Sequence, residues 1–270
     1  MNNEIEISNK YRKHIKEDRG IGEGADYIPW TKINEFSSKG RATRIMGIKT
    51  KRIHHFHSDN QLRAFLIFEW SNKVTDIREC YPLLDLMETV DDKDNLALDK
   101  FSDSEPGNQF VITTNFLLTL REPDEKIKYI ARAIKNCSEL NKKITIEKLE
   151  IEKRYWRARG IEFKVITDKE LDRQLCKNIQ WVRETLLDNS GGVEEKDKLS
   201  TQLYFHLSNN KGIIVKDVLK DFESRYDVVK GTALYLFRYL LAIKRITMDM
   251  TQPINFNITV MKLLKFFEED

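Results

Sequence analysis

The sequence predicts an α/β chain in two parts, a mixed-sheet domain at 1–167 and a largely helical domain at 168–270. Three observations carry this reading. Val111 to Leu120 and Lys126 to Lys135 are two β-rich runs joined by Arg121-Glu-Pro-Asp-Glu125, the pattern of an antiparallel hairpin. Segments of helical composition lie before and after that hairpin. Beyond Asn189-Ser-Gly-Gly192, read as a hinge or loop, three helical segments are followed by alternation around Pro253. Three helices and a hairpin are the layout of a winged helix.

Taken in order, Ser58-Asp59-Asn60-Gln61 has the spacing of a capping box. Leu62, Phe65, Leu66, Phe68 and Glu69-Trp70 follow, so a helix of ~12 residues begins near Asp59. Val74 to Tyr81 reads as extended and ends at Pro82. Glu88 to Glu105 is acidic and turn-rich, the composition of a surface insertion. In the second run of the hairpin, Ile127, Tyr129, Ala131, Ala133 and Lys135 share one face. Lys142 to Arg159 is helical and Gly160 stops it. Residues 163–166 form a short buried strand, and Thr167-Asp-Lys-Glu170 is a second capping box opening a helix to about Leu187. Helices are then expected near Leu199 to Leu207, Val215 to Phe222 and Val229 to Ile243, with a hairpin over Arg245 to Asn257.

Composition narrows the function classes. No run approaches ~18 uninterrupted apolar residues, so no membrane span is expected and a cytoplasmic protein is. Cys80, Cys137 and Cys176 lie far apart, without zinc or disulfide spacing. Gly20, Gly22 and Gly24 lack the Gly-Lys-Ser/Thr of a phosphate loop. A net charge of +3 says little by itself, but its distribution says more. Lys39, Arg41, Arg44, Lys49, Lys51 and Arg52 fall in a stretch with no acid between Glu35 and Asp59, so they are candidate DNA phosphate contacts. His54, His55 and His57 are close in sequence, but alternate strand residues would not converge on one metal without a fourth partner, so they read as structural or phosphate contacts. Trp30, Trp70, Trp156 and Trp181 read as core or interface anchors.

Metal-dependent nucleases of the restriction-enzyme type need an acid on one strand and an acid-x-lysine pair on the next, often with a glutamate from a preceding helix. The carboxylates hold magnesium, and the lysine orients or deprotonates water. The i, i+2 spacing is required because those residues face one side of a strand. The hairpin supplies this geometry, with Asn115 on its first strand, Ala133 and Lys135 on its second, and Gln61 at the third position of the preceding helix.

With these residues the chain resembles the TnsA family, the endonuclease subunits of heteromeric cut-and-paste transposases in bacteria. The resemblance is carried by Arg19-Gly-Ile-Gly-Glu-Gly-Ala-Asp-Tyr-Ile-Pro-Trp30, Gly40-Arg-Ala-Thr-Arg-Ile45, Arg52-Ile-His-His55, Asp76-Ile-Arg-Glu79 and Tyr81-Pro-Leu83. Thr114-Asn-Phe-Leu117, Glu147-Lys-Leu-Glu-Ile-Glu-Lys-Arg-Tyr-Trp156 and Asn178-Ile-Gln-Trp181 continue it in order. It is specific to about residue 185 and weak beyond. It implies a restriction-endonuclease-like domain followed by a winged-helix domain, and cleavage of the 5′ strands at transposon ends. It also implies three partners: transposon-end DNA, a TnsB-like transposase and a TnsC-like AAA+ regulator.

The resemblance places the family's helix glutamate at Gln61, its strand aspartate at Asn115, the residue two before its lysine at Ala133, and the lysine itself at Lys135. Glu152 matches a nearby acid. Magnesium is the implied cofactor, at Gln61 and Asn115. Amides cannot supply its anionic oxygens and Ala133 supplies no ligand, so weak or absent metal binding and little hydrolysis are expected. Two rival readings follow from the residues. One is an active endonuclease with acids rearranged among Glu147, Glu150 and Glu152; the other is a DNA-binding scaffold. For the three glutamates the bland reading is a solvated helix face.

Overall fold

A computed structural model describes residues 9–35, 41–101, 111–188 and 193–266. The chain divides into two compact units, Met1–Leu171 and Asp172–Asp270.

The first unit opens with α1 (Asn9–Lys16) and a two-stranded ribbon of β1 (Thr43–Met46) and β2 (Ile53–Phe56). Then come α2 (Asp59–Trp70), β3 (Val74–Pro82), the short α3 (Leu86–Thr89), β4 (Thr113–Arg121), β5 (Ile127–Lys135), α4 (Lys143–Ala158) and β6 (Glu162–Thr167). The sheet order is β3-β4-β5-β6, antiparallel except for the parallel pair β5–β6. That parallel pair requires a crossover, which α4 provides. The central strands have apolar residues on both faces because both are covered. Phe116 meets Phe56 and, through its ring edge, Phe68 of α2. Leu117 and Ala131 join Ile151, Tyr155 and Trp156 of α4 in the opposite layer. The result is mixed α/β, a four-stranded mixed sheet between helices.

The capping logic at Ser58 holds: its side chain accepts the Gln61 N–H at 3.3 Å, and α2 runs twelve residues. The second capping box behaves differently. Glu170 accepts the Thr167 N–H at 2.7 Å, but this closes a turn. Asp172 accepts the Leu175 N–H at 2.7 Å and starts α5 (Arg173–Leu187) instead. Gly160 stops α4 in the left-handed region, φ 67°. The strand expected to be buried at 163–166 is half-buried, because β6 is a sheet edge. The acidic insertion is described through residue 101, and its remainder lies outside the described residues, as do Pro106-Gly107 and Asn189 to Gly192.

The second unit contains α5, α6 (Val193–Asn209), α7 (Val215–Arg225), α8 (Thr232–Ala242), β7 (Ile246–Thr247), α9 (Val260–Leu263) and β8 (Lys265–Phe266). Leu203, Leu207, Val218, Phe222, Phe237 and Leu240 are fully buried among its helices. The hairpin expected at 245–257 does not form: β7 pairs with β8, nearly twenty residues on. The intervening chain turns on Asp249, which accepts the Thr251 N–H at 2.9 Å, and on Pro253, which has no N–H for a ladder. No helix among the described residues is long and apolar enough to cross a membrane.

Candidate active site at a fork in the sheet

The sheet opens where the candidate residues gather. β4 and β5 are laddered from the hairpin as far as Phe116↔Arg132 and no further. β5 continues along β6 to Lys135↔Thr167, while β4 continues along β3 to Thr113↔Pro82. Asn115 stands in the fork, and its Oδ1 accepts the Ile134 N–H at 2.7 Å. A side-chain oxygen thus replaces the backbone acceptor that the splayed strands no longer provide. Opposite Asn115 lies Cys80, left-handed at φ 49°, between the paired Glu79↔Phe116 and Tyr81↔Thr114. A non-glycine residue in that region is costly and must be held by its surroundings. Cys80 is buried, which pushes its thiol up to about 12 and leaves it protonated.

On the α4 side of the fork, Lys135 lies within electrostatic reach of Glu152 and Lys148. Glu152 is 1% exposed, which overturns the solvated-helix reading for this residue. Its Oε1 lies 3.9 Å from Lys148 Nζ, and its Oε2 is buried with no hydrogen-bond partner. Burial raises the Glu152 pKa, opposed by Lys148, Lys135 and the Thr114 hydroxyl. Burial, then the charge of Lys148, holds the Lys135 ammonium below its ordinary range, with Glu152 and Glu139 acting the other way. Glu150 does lie on the surface as expected, paired with Arg154 at 3.1 Å, and Glu147 pairs with Lys100 at 2.6 Å. Ala133 is fully buried and contributes only a methyl group.

Gln61 approaches from α2. Its Oε1 accepts the N–H of His57, the residue before the cap, at 2.8 Å, while the Ser58 side chain accepts the Gln61 N–H. Its neighbour Asn60 donates to Asn136 Oδ1 at 2.7 Å, which fastens the start of α2 to the residue after Lys135. Asn136 itself caps the turn Cys137–Asn141, with Glu139 accepting its N–H at 2.8 Å. Asn115 thus clasps the backbone one residue before Lys135, and Lys135 and Glu152 act on each other's charge. The Asn60–Asn136 contact ties the helix start bearing Gln61 to the end of β5. Lys148 and Thr114 are additions that sequence reasoning missed. The available signal for Lys148 was its position one turn before Glu152 on a helix whose apolar face packs on the sheet.

The candidate DNA contacts separate into two groups. Arg52 is buried and gives a two-point contact to Glu79, with Nη1 to Oε1 at 2.8 Å and Nη2 to Oε2 at 2.5 Å. His54 Nδ1 lies 2.8 Å from the same carboxylate. Burial opposes ionisation of Glu79, but His54 and Arg52 outweigh it and hold its pKa down to about 2. Lys49 donates to the Ser71 and Val74 carbonyls. Arg52 and Lys49 are thus structural, a correction to their reading as phosphate contacts: both cations are spent on internal partners. Arg41, Arg44 and Lys51 are exposed, whereas Lys39 lies outside the described residues.

Comparison with known proteins identifies the family. The family model described as TnsA-like endonuclease N terminal matches residues 71–168, and the one described as TnsA endonuclease C terminal matches residues 170–250. The chain is 36% identical over 236 residues to the Transposon Tn7 transposition protein TnsA of Escherichia coli, covering 85% of this chain and 82% of that protein. With both family models satisfied in order and that identity sustained along most of its length, the chain belongs to the TnsA family of transposition endonucleases.

Proposed function

We propose that this chain is a TnsA-type transposition subunit without nuclease activity, which binds transposon-end DNA and links a TnsB-like transposase to a TnsC-like AAA+ regulator. The observation that carries the loss of activity is the donor chemistry at the fork. The family implies a divalent metal, and the residues present do not fit one. The oxygens of Gln61 and Asn115 are neutral and already accept backbone N–H groups, Ala133 has no donor, and the buried carboxylate of Glu152 is offset by the charges of Lys148 and Lys135. A hard dication needs several anionic or carbonyl oxygens around it. Without it, metal-activated water is unavailable to attack the phosphodiester. Glu147 and Glu150 are engaged elsewhere, which disfavours a site rebuilt from rearranged acids.

The second unit is read here as a winged-helix relative turned toward protein contact. In the α7–α8 pair, Glu223 Oε1 accepts the Gly231 and Ala233 N–H groups at 2.7 and 3.1 Å, filling the helix start where a phosphate would bind. Arg238, the sole charged side chain of α8, is tied to the Trp181 carbonyl and to Glu184 at 2.7 Å. Tyr226, Val229 and Leu234 are exposed around the same turn, and apolar exposure of this kind suits a partner protein.

The test compares the unaltered chain with a triple variant, Gln61→Glu, Asn115→Asp and Ala133→Gln. Both are assayed for nicking of transposon-end DNA with the partner transposase and magnesium. Nicking by the restored variant and none by the unaltered chain is expected. Equal rates from the two would sink the inactive-site reading.

A further inference from the structure

The ribbon of β1 and β2 has two unlike faces. Inward, His54 and Phe56 are buried, and the Phe56 ring packs against Phe65 and Phe116 at 5.0 and 5.8 Å between centroids. Outward, the register sets Arg44 opposite His55 and Met46 opposite Ile53. Met46 is 44% exposed and Ile53 48%, so two large apolar side chains stand together at a surface where burial would be favourable. Exposed cations flank the pair: Arg44 lies two residues before Met46, and Lys51 two residues before Ile53. The stretch 36–58 contains no acid, and the glutamates that fasten the ribbon, Glu69 and Glu79, are themselves buried. The turn is stiffly mounted. Gly47 N–H donates to the Arg52 carbonyl at 2.8 Å, Ile48 N–H to Glu69 Oε1 at 2.6 Å, and Lys49 to the Ser71 and Val74 carbonyls. Thr50 Oγ1 lies 2.7 Å from His54 Nε2 and packs on Gly47, where a Cβ would come within 2.2 Å of that hydroxyl.

Charge and size together select the occupant. The cationic rim calls for a polyanion. Two side chains make a patch far below the ~1,000 Å² that a stable protein interface buries. One or two apolar side chains are, however, what a wedge between stacked bases requires. Met46 and Ile53 offer no strong hydrogen-bonding group, so they cannot read the donor and acceptor code of the major groove.

We propose that Met46 and Ile53 form an apolar wedge that enters the minor groove of bound DNA and parts one base step, while Arg44 and Lys51 hold the phosphates on either side. The ribbon then bends the duplex instead of only resting on it, and its stiff mounting lets the wedge stand against the cost of unstacking. That cost is least at pyrimidine–purine steps, so the wedge favours such a step without any hydrogen bond to a base. This rests on the DNA-binding reading above and adds a binding mode and a sequence preference to it.

The test uses the full chain and transposon-end duplexes labelled at both ends for energy transfer. Each duplex also carries a fluorescent purine analogue, quenched by stacking, at one pyrimidine–purine step. Binding should raise the transfer efficiency and, at a single step, the emission of the analogue. Met46→Thr with Ile53→Thr should remove both signals and leave the log–log salt slope unchanged, because no cation is lost. Arg44→Gln with Lys51→Gln should lower that slope by about 1.8. Met46→Leu with Ile53→Leu should retain bending, and a melting curve for each variant confirms folding. A duplex that the unaltered chain binds but leaves straight and stacked would overturn the wedge while DNA binding stands. No duplex binding at all would sink both readings. A threonine variant that bends DNA as before, yet no longer retains the partner transposase in a pull-down, would overturn the wedge and make the ribbon a protein-docking face.

Discussion

Asn115 shows how one side chain serves both fold and site. Its oxygen is the acceptor for the buried Ile134 N–H, so Asn115→Ala should cost about 1–3 kcal/mol, the usual penalty for an orphaned buried donor. Asn115→Asp keeps the acceptor and should leave the urea midpoint close to that of the unaltered chain. Exchange of the Ile134 amide, followed by NMR, should accelerate in the alanine variant only. Glu79 gives a second outcome, in pH. Its folded pKa of about 2 lies below that of an unfolded glutamate. The stabilisation is therefore complete above about pH 4.5 and lost as pH falls from there through about 2. Glu79→Gln should flatten the dependence of melting temperature on pH across that window. If the variant and the unaltered chain lose stability in parallel on acidification, Glu79 is not the group responsible.

Element by element, the sequence was most readable where a local rule coincided with tertiary packing. The Ser58 cap, the apolar face of α2 and the hairpin of β4 and β5 each obeyed a periodicity or a side-chain-to-backbone contact that needs only a few neighbouring residues. The start of α5 was misread because Thr167–Glu170 satisfies a capping box locally. The chain must first leave β6, and only then does Asp172 offer the next free cap. Asp172→Ala should accordingly cost about 1 kcal/mol in chemical denaturation, and Thr167→Ala less. The reverse ranking would put the helix start back at Thr167. The pairing of β7 with β8 was unreadable for a different reason: its partner strands are two residues each and separated by a long turn, so no alternation marks them. At the site, strand parity put Lys135 and Asn115 at the end of the hairpin where the two strands part, and there Asn115 accepts the Ile134 N–H. Lys148 and the burial of Glu152 depend on how α4 rests on the sheet, which a Glu/Lys-rich helix does not announce. Arg52 looked like a phosphate contact until its partner, 27 residues away on β3, was in view.

For the molecule as a whole, a charge of +3 is too small to drive DNA binding by itself, so placement decides. With Arg52 and Lys49 committed internally, Arg41, Arg44 and Lys51 remain as exposed cations of the described part of that run. Replacing these three with alanine should reduce the log–log salt slope of end-DNA binding by about 2–3, if each neutralises one phosphate. Arg52→Ala should instead lower the melting temperature. An unchanged slope in the triple variant would remove the ribbon from the DNA interface. The fork also bears on how such a chain could gain or lose its enzymology. Because an amide and a carboxylate make the same clasp on the neighbouring strand, position 115 can be switched between charged and neutral without any redesign of the scaffold. Folding competence and cutting competence can therefore vary independently in this architecture, and a silent subunit can keep its place in an assembly while its hydrolytic role is withdrawn or reinstated one side chain at a time.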